Sequence, residues 1–187
     1  MLNYNSILTD EINHNGVSIK EISPIMKLNL RGKKREFFTS VGKNLNMILP
    51  TEANTSSSSD KLTSIWLSPD EWMIVSNEKV QKDNNIYELE ETLYNSISKT
   101  NLGAVTDVTD HLVLLELKGE NIFELFRSGS PFNFNEFKEK KGSTTQTLLN
   151  NIDIIIYNKD QNLVNLFVRR SFSEHLCSWM NDSASRL

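Results

Sequence analysis

An internal echo constrains this chain more than any other feature of its sequence. Leu28-Asn29-Leu30-Arg31-Gly32, followed by a Phe-rich stretch, is matched by Leu115-Glu116-Leu117-Lys118-Gly119, followed by another. The two glycines lie 87 residues apart. The same offset carries the segment around Trp66 onto residues 152–168, and the segment from Asp83 onto the one from Ser171. Three elements agreeing at one period mark a repeated supersecondary unit. The chain is therefore expected to hold two pseudo-repeats, about 25–100 and 101–187, each of β-α-β-β-α type. Together they should make an α+β fold in which helices pack on antiparallel sheets around a shared core. Its 187 residues suit one domain or two small halves.

Local patterning fills in the units. Residues 25–30 alternate apolar and polar, as a half-buried strand does. Phe37, Phe38, Val41 and Leu45 share one helical face. Residues 62–67 and 72–75 flank Ser68-Pro69-Asp70-Glu71 and read as a hairpin, because Pro presets φ and Asp bonds its own backbone. A helix from Asp83, capped by that residue, should bury Ile86, Leu89, Leu93 and Ile97. Short strands are expected at 103–108 and 112–117, a helix after Gly119, and three antiparallel strands at 143–149, 152–157 and 163–168. A last helix from Ser171 should turn Phe172, Leu176, Trp179 and Met180 inward, with Ser171 and Glu174 as a capping box. Residues 1–24 read as a tail or wrapping arm, and 55–59 as a flexible loop.

Composition removes several function classes. One Cys forms no internal disulfide, and three scattered His offer no zinc-type cluster. A pI near 5.5 argues against nucleic acid as a partner. No apolar run reaches the length of a membrane span, and residues 1–10 lack the features of a signal peptide. A reduced compartment, most simply the cytoplasm, is expected. With seven Gly in the chain, there is no G-x-G-x-x-G, no phosphate loop and no nucleophile elbow. No flavin or nicotinamide site is expected from this chain alone. Asn, Ser and Lys fill the place of missing apolar residues.

Several residues carry polar chemistry. Asp70 and Glu71 at the hairpin tip pair two carboxylates, the requirement for acid–base work, although a turn Asp beside a surface Glu explains them equally. Arg31, Lys33, Lys34 and Arg35 form a basic knot near a helix start, read as a solvated edge. Arg170 and Ser171 open a helix, a place that holds an anion or a partner's carboxylate. Asp110 and His111 are adjacent on a strand and so point apart. His175 and Cys177, two apart on a helix, do not face each other either.

Trp66-Leu67-Ser68-Pro69-Asp70-Glu71-Trp72 resembles the W-L-G-P-D-E-W segment of the gamma subunit of heterotetrameric sarcosine oxidase, with Ser68 in place of the usual Gly. Residues 28–32, Asp107-Val108-Thr109-Asp110, residues 115–119 and Arg170-Ser171-Phe172 leading to Trp179 fall at matching spacings. Together they cover about 25–182. The resemblance implies a fold like the folate-binding part of glycine-cleavage aminomethyltransferase, itself a duplication of β-α-β units. It further implies partners: alpha and beta subunits that carry FAD, FMN, NAD and the tetrahydrofolate site, and a delta subunit that carries zinc. That complex oxidises sarcosine to glycine and hydrogen peroxide and passes the one-carbon unit to tetrahydrofolate. By this resemblance Trp66, Pro69, Asp70, Glu71, Trp72, Asp107, Arg170 and Ser171 are structural or interfacial motif positions, with no catalytic residue, cofactor or metal expected in this chain. N-methylglutamate dehydrogenase uses a similar subunit, and a stand-alone folate-binding or one-carbon-transfer protein is the other alternative. The first 24 residues and the loop of Phe132, Phe134 and Phe137 are the expected apolar contacts for partners.

Overall fold

Two antiparallel sheets organise the chain, and the computed structural model describes residues 4–22, 24–83 and 85–187 of it. One unit comprises Ile25–Thr109 and the other Met1–Pro24 with Asp110–Leu187. The three strand residues that open the second unit's sheet, β1 (Ile12–His14), lead into β2 (Val17–Ile22). The chain then builds the first unit: β3 (Lys27–Gly32), α1 (Arg35–Leu45), β4 (Ser56–Ser58), β5 (Leu62–Ser68), β6 (Glu71–Ser76), α2 (Glu88–Leu93) and β7 (Gly103–Asp107). It returns through β8 (Leu112–Lys118), α3 (Ile122–Arg127), β9 (Thr144–Leu149), β10 (Ile152–Asp160), β11 (Leu163–Arg169) and α4 (Arg170–Ala184).

The sheet orders are β4-β5-β6-β3-β7 and β1-β2-β8-β11-β10-β9. In each, a three-strand meander folds back so that its last strand pairs with the strand before the helix: β6 with β3, and β11 with β8. The remaining neighbours are exchanged. β2 leads directly into β3 along the chain, yet it pairs with β8. β7 leads directly into β8, yet it pairs with β3. Each sheet is thus completed by a strand that precedes the other sheet's meander in sequence.

Instead of one shared core, each unit has its own. In the first, Leu28 and Leu30 of β3 and Trp72 and Ile74 of β6 pack under Phe37, Val41, Leu45, Leu93 and Ile97. In the second, alternate residues of β2, β8, β10 and β11 pack under α3 and α4, around Phe126, Leu176 and Met180. Period-two and period-3.6 patterns meet face to face in both, which is why these elements were legible. Among the described residues no helix is long and apolar enough to cross a membrane.

Departures from the sequence reading have local causes. The expected arm holds β1 and β2, because Val17 and Ile19 alternate inward among polar residues that obscure the pattern; residues 1–3 and Ser23 of that arm lie outside the described residues. Ser56–Ser58 is a short edge strand rather than a loop. The helix expected from Asp83 starts at Glu88, since Asp83 and Ile86 close a tight bridge, and Ile86 stays exposed; Asn84 is outside the described residues. α4 starts one residue before Ser171, so Ser171 lies inside the first turn and no capping box forms. Phe172, in the same first turn, is 47% exposed rather than facing inward. Phe134 and Phe137 are buried in an aromatic cluster with Phe123 and Phe126, which fills the unit's own core.

The asparagine content has a structural use. The non-glycine residues with positive φ among those described are all asparagines: Asn15, Asn46, Asn54, Asn85, Asn101, Asn150, Asn151 and Asn162. Asparagine tolerates the left-handed region better than other residues with a Cβ, so it turns this glycine-poor chain. Asn150 and Asn151 form the two-residue turn between β9 and β10, and Asn46 ends α1.

Candidate functional site

The hairpin of β5 and β6 sets Trp66 directly opposite Trp72, so both indoles lie on one face. Trp72 is the deeper of the two. Its ring lies 5.8 Å from Phe37 and 5.2 Å from Phe38, and its Nε1–H donates to the Pro50 carbonyl at 2.7 Å. Trp66 is half-buried at the margin of the same cluster. Pro69 is exposed at the tip, between Ser68 and Asp70.

The tip's two carboxylates are held by the end of β3. The Ser68 hydroxyl donates to Asp70 Oδ1 at 2.8 Å, and the Gly32 N–H to the Asp70 carbonyl at 3.0 Å. Lys33 Nζ is 3.5 Å from Asp70 Oδ2, and Arg31 reaches both Asp70 and Glu71, at 4.0 and 3.8 Å. Asn29 Nδ2 donates to Glu71 Oε1 at 2.7 Å. Two members of the expected basic knot, Arg31 and Lys33, therefore close onto the tip. The Ser68 hydroxyl, then the charges of Lys33 and Arg31, hold Asp70 below the usual carboxylate range. A general acid at neutral pH needs the opposite shift.

Asp107 ends β7 with both oxygens engaged. Oδ2 pairs with Lys82 Nζ at 2.5 Å, and Oδ1 accepts the Thr109 N–H at 2.9 Å. Lys82 also lies over the Tyr87 ring, 4.8 Å from its centre. Burial pushes the Asp107 carboxyl up, but Lys82 and Thr109 outweigh it and leave the group below its ordinary value. Thr109 in turn accepts the Lys27 N–H at 3.0 Å. A carboxylate engaged in this way suits a strand-end tie better than contact with a folate.

Arg170 opens α4 and works locally too. Its N–H donates to the His111 carbonyl at 2.9 Å and its Nε to the Asp110 carbonyl at 3.1 Å. The guanidinium stacks on Tyr4, 4.5 Å from the ring centre, and reaches the Asn5 carbonyl at 3.4 Å. Ser171 is exposed beside it, and Asp110 and His111 are exposed in the turn that precedes β8 rather than on a strand. His175 contacts Asn150 at 3.4 Å rather than Cys177. Burial, with the Glu21 charge, pushes the Cys177 thiol up to about 12, the reverse of what a thiolate nucleophile requires.

The structure thus brings Asp70 and Glu71 together with Arg31 and Lys33, and Trp66 with Trp72. Asp107 and the pair Arg170–Ser171 each sit in a separate local network. Two open clefts of about 380 and 450 Å³ lie on the second unit, and the motif residues line neither. Among the described residues no three His, Cys, Asp or Glu converge as a metal-ligand group. Sequence reasoning missed Glu21, Lys82 and Asn158. Asn158 is buried and its Nδ2 donates to the carbonyls of Phe137, Lys138 and Lys140 at 2.9, 3.3 and 3.1 Å. Each lies in a polar stretch whose partners are distant in sequence, so no local spacing marks it.

The family described as sarcosine oxidase, gamma subunit matches residues 32–186. Among solved structures, a chain of heterotetrameric sarcosine oxidase from Corynebacterium sp. U-96, in complex with pyrrole 2-carboxylate, superposes with a TM-score of 0.81 at 21% identity. That match covers 91% of this chain and 84% of the other. The glycine cleavage system aminomethyltransferase T from Bartonella henselae superposes with a TM-score of 0.62 at 16% identity, over 89% of this chain and 46% of that one. The α+β fold with two antiparallel sheets is therefore shared with both. No curated protein sequence matches this chain.

Proposed function

The chain belongs to the sarcosine oxidase gamma subunit family, and from that premise we propose that it is a non-catalytic accessory subunit of a flavin-dependent heterotetrameric sarcosine oxidase. The observation that carries the reading is the engagement of the motif's charged groups within the chain. Asp70, Glu71, Asp107 and Arg170 are each bound to neighbours that fix a turn, a strand end or a helix start. Residues used in this way support a framework role.

In this reading the alpha, beta and delta subunits are the partners. FAD, FMN, NAD, tetrahydrofolate and zinc belong to those subunits, and the complex works in the cytoplasm. The oxidation of sarcosine to glycine and hydrogen peroxide, with the one-carbon unit passed to tetrahydrofolate, takes place in the partners. The matching connectivity of the two sheets and the 87-residue offset support an internal duplication of one β-α-β-β-α unit.

Co-expression with the three partner genes tests the proposal. The expected result is a stoichiometric complex containing this chain that oxidises sarcosine. A complex active on N-methylglutamate and inactive on sarcosine would move the chain to the related dehydrogenase. Saturable heat on titrating the isolated chain with tetrahydrofolate would favour the stand-alone folate-binding reading.

A further inference from the structure

The segment before β1 is fastened by one carboxylate. Glu21 of β2 accepts hydrogen bonds from the Tyr4 and Ser6 hydroxyls, from the Ile7 N–H at 2.7 Å and from the Leu8 N–H at 3.1 Å. Arg170 completes the fastening, with its guanidinium on the Tyr4 ring at 4.5 Å and its Nη1 at 3.4 Å from the Asn5 carbonyl. Ile7 and Leu8 pack against the second unit's core cluster, to which Cys177 belongs. Segment and β2 both lie ahead of the region that the family match covers, 32–186, whereas Arg170 lies within it.

We propose that residues 4–8 form a strap, latched by Glu21 and Arg170, that opens as a local unit and controls access to the core around Cys177. The chemistry favours a latch over permanent core. Its holding contacts lie on half-exposed or exposed residues; four of them converge on the Glu21 carboxylate and are broken together when it is lost, which leaves Arg170 on Tyr4 and Asn5 as the remaining tie. Ile7 and Leu8 supply the apolar underside and are only half-buried, so little apolar surface opposes opening. β2 itself stays paired with β8 when the strap opens, since that ladder does not depend on the Glu21 side chain. Burial pushes the Glu21 carboxyl up, but the four donors outweigh it and keep it below its ordinary value, so the latch is closed at neutral pH.

Thiol labelling tests this on the full-length chain, because Cys177 is its one cysteine. With an aromatic disulfide reagent, wild-type labelling should proceed by local opening, and its rate should depend weakly on urea. Glu21→Gln should label about ten- to a hundredfold faster, the range to which charge-assisted hydrogen bonds correspond. Tyr4→Phe should give a smaller acceleration, with an unchanged far-UV spectrum. A wild-type labelling rate that follows urea with the full slope of global unfolding would overturn the proposal. That measurement decides the matter even where Glu21→Gln does not fold. Equal labelling rates in folded Glu21→Gln and wild type would overturn it as well.

Discussion

Replacing Trp72 by Phe asks whether the hairpin motif is framework. Trp72 is 1% exposed, and its Nε1–H is bonded to the buried Pro50 carbonyl. Phenylalanine keeps a ring against Phe37 and Phe38 but removes the donor and roughly 40 Å² of buried apolar surface. At about 25 cal/mol per Å², the lost burial costs about 1 kcal/mol. A buried carbonyl left without its donor adds about 1–3 kcal/mol. The expected loss is therefore roughly 2–4 kcal/mol, and for a chain of this length a loss of about 3 kcal/mol lowers Tm by roughly 6–12 °C. Urea denaturation followed by far-UV circular dichroism measures it, with Trp66→Phe as the companion variant. Half-buried Trp66 should lose about 1 kcal/mol or less. A loss below about 0.5 kcal/mol at Trp72, or equal losses at the two positions, would refute the argument that Trp72 anchors the core.

Three further outcomes follow from the same contacts. Phe134→Ala should cost about 3–5 kcal/mol in urea denaturation, because the ring is fully buried among Phe123, Phe126 and Phe137. Gly119→Ala should yield little folded protein on expression: the backbone there has φ +128, and a Cβ would lie 1.8 Å from the Gly16 carbonyl oxygen. Lys82→Met should cost about 1–2 kcal/mol at neutral pH, after allowance for partial solvent screening. Asp107 has its folded pKa lowered, so its contribution is present above the unfolded value and is lost as pH falls through the folded one. The gap between Lys82→Met and wild type should accordingly narrow in acid, and a pH series of urea midpoints checks it.

Much of the fold was legible because its elements bury one face each. The alternation in β3 and β8, the stripe of α1 and the repeat offset all reflect side chains meeting the core of their own unit. What stayed hidden depends on partners remote in sequence. β2 reads as polar because only Val17 and Ile19 are fully buried, and nothing near it signals pairing with β8. The exchange of β2 and β7 leaves no local trace at all, since each strand leads directly into a strand of the sheet it does not join. The Asn bias looked compositional until the backbone showed asparagine at its left-handed turns. At the motif, residue identity was legible and role was not. The basic residues that hold Asp70 and Glu71 come from β3 and the residue just after it, and Glu21, which fastens the N-terminal segment, sits in a stretch that reads as irregular.

Under the proposed function, this chain assembles the oxidase without taking part in its chemistry. Turnover of sarcosine by the purified four-subunit complex tests it most directly, with wild-type chain, with Asp107→Asn or Asp70→Asn, and with the chain omitted. Omission should abolish the assembled complex, while either variant, once assembled, should keep kcat within about twofold of wild type. Normal assembly and turnover without the chain would contradict the claim. So would a loss of about a hundredfold or more in kcat from Asp107→Asn in a complex of unchanged stoichiometry.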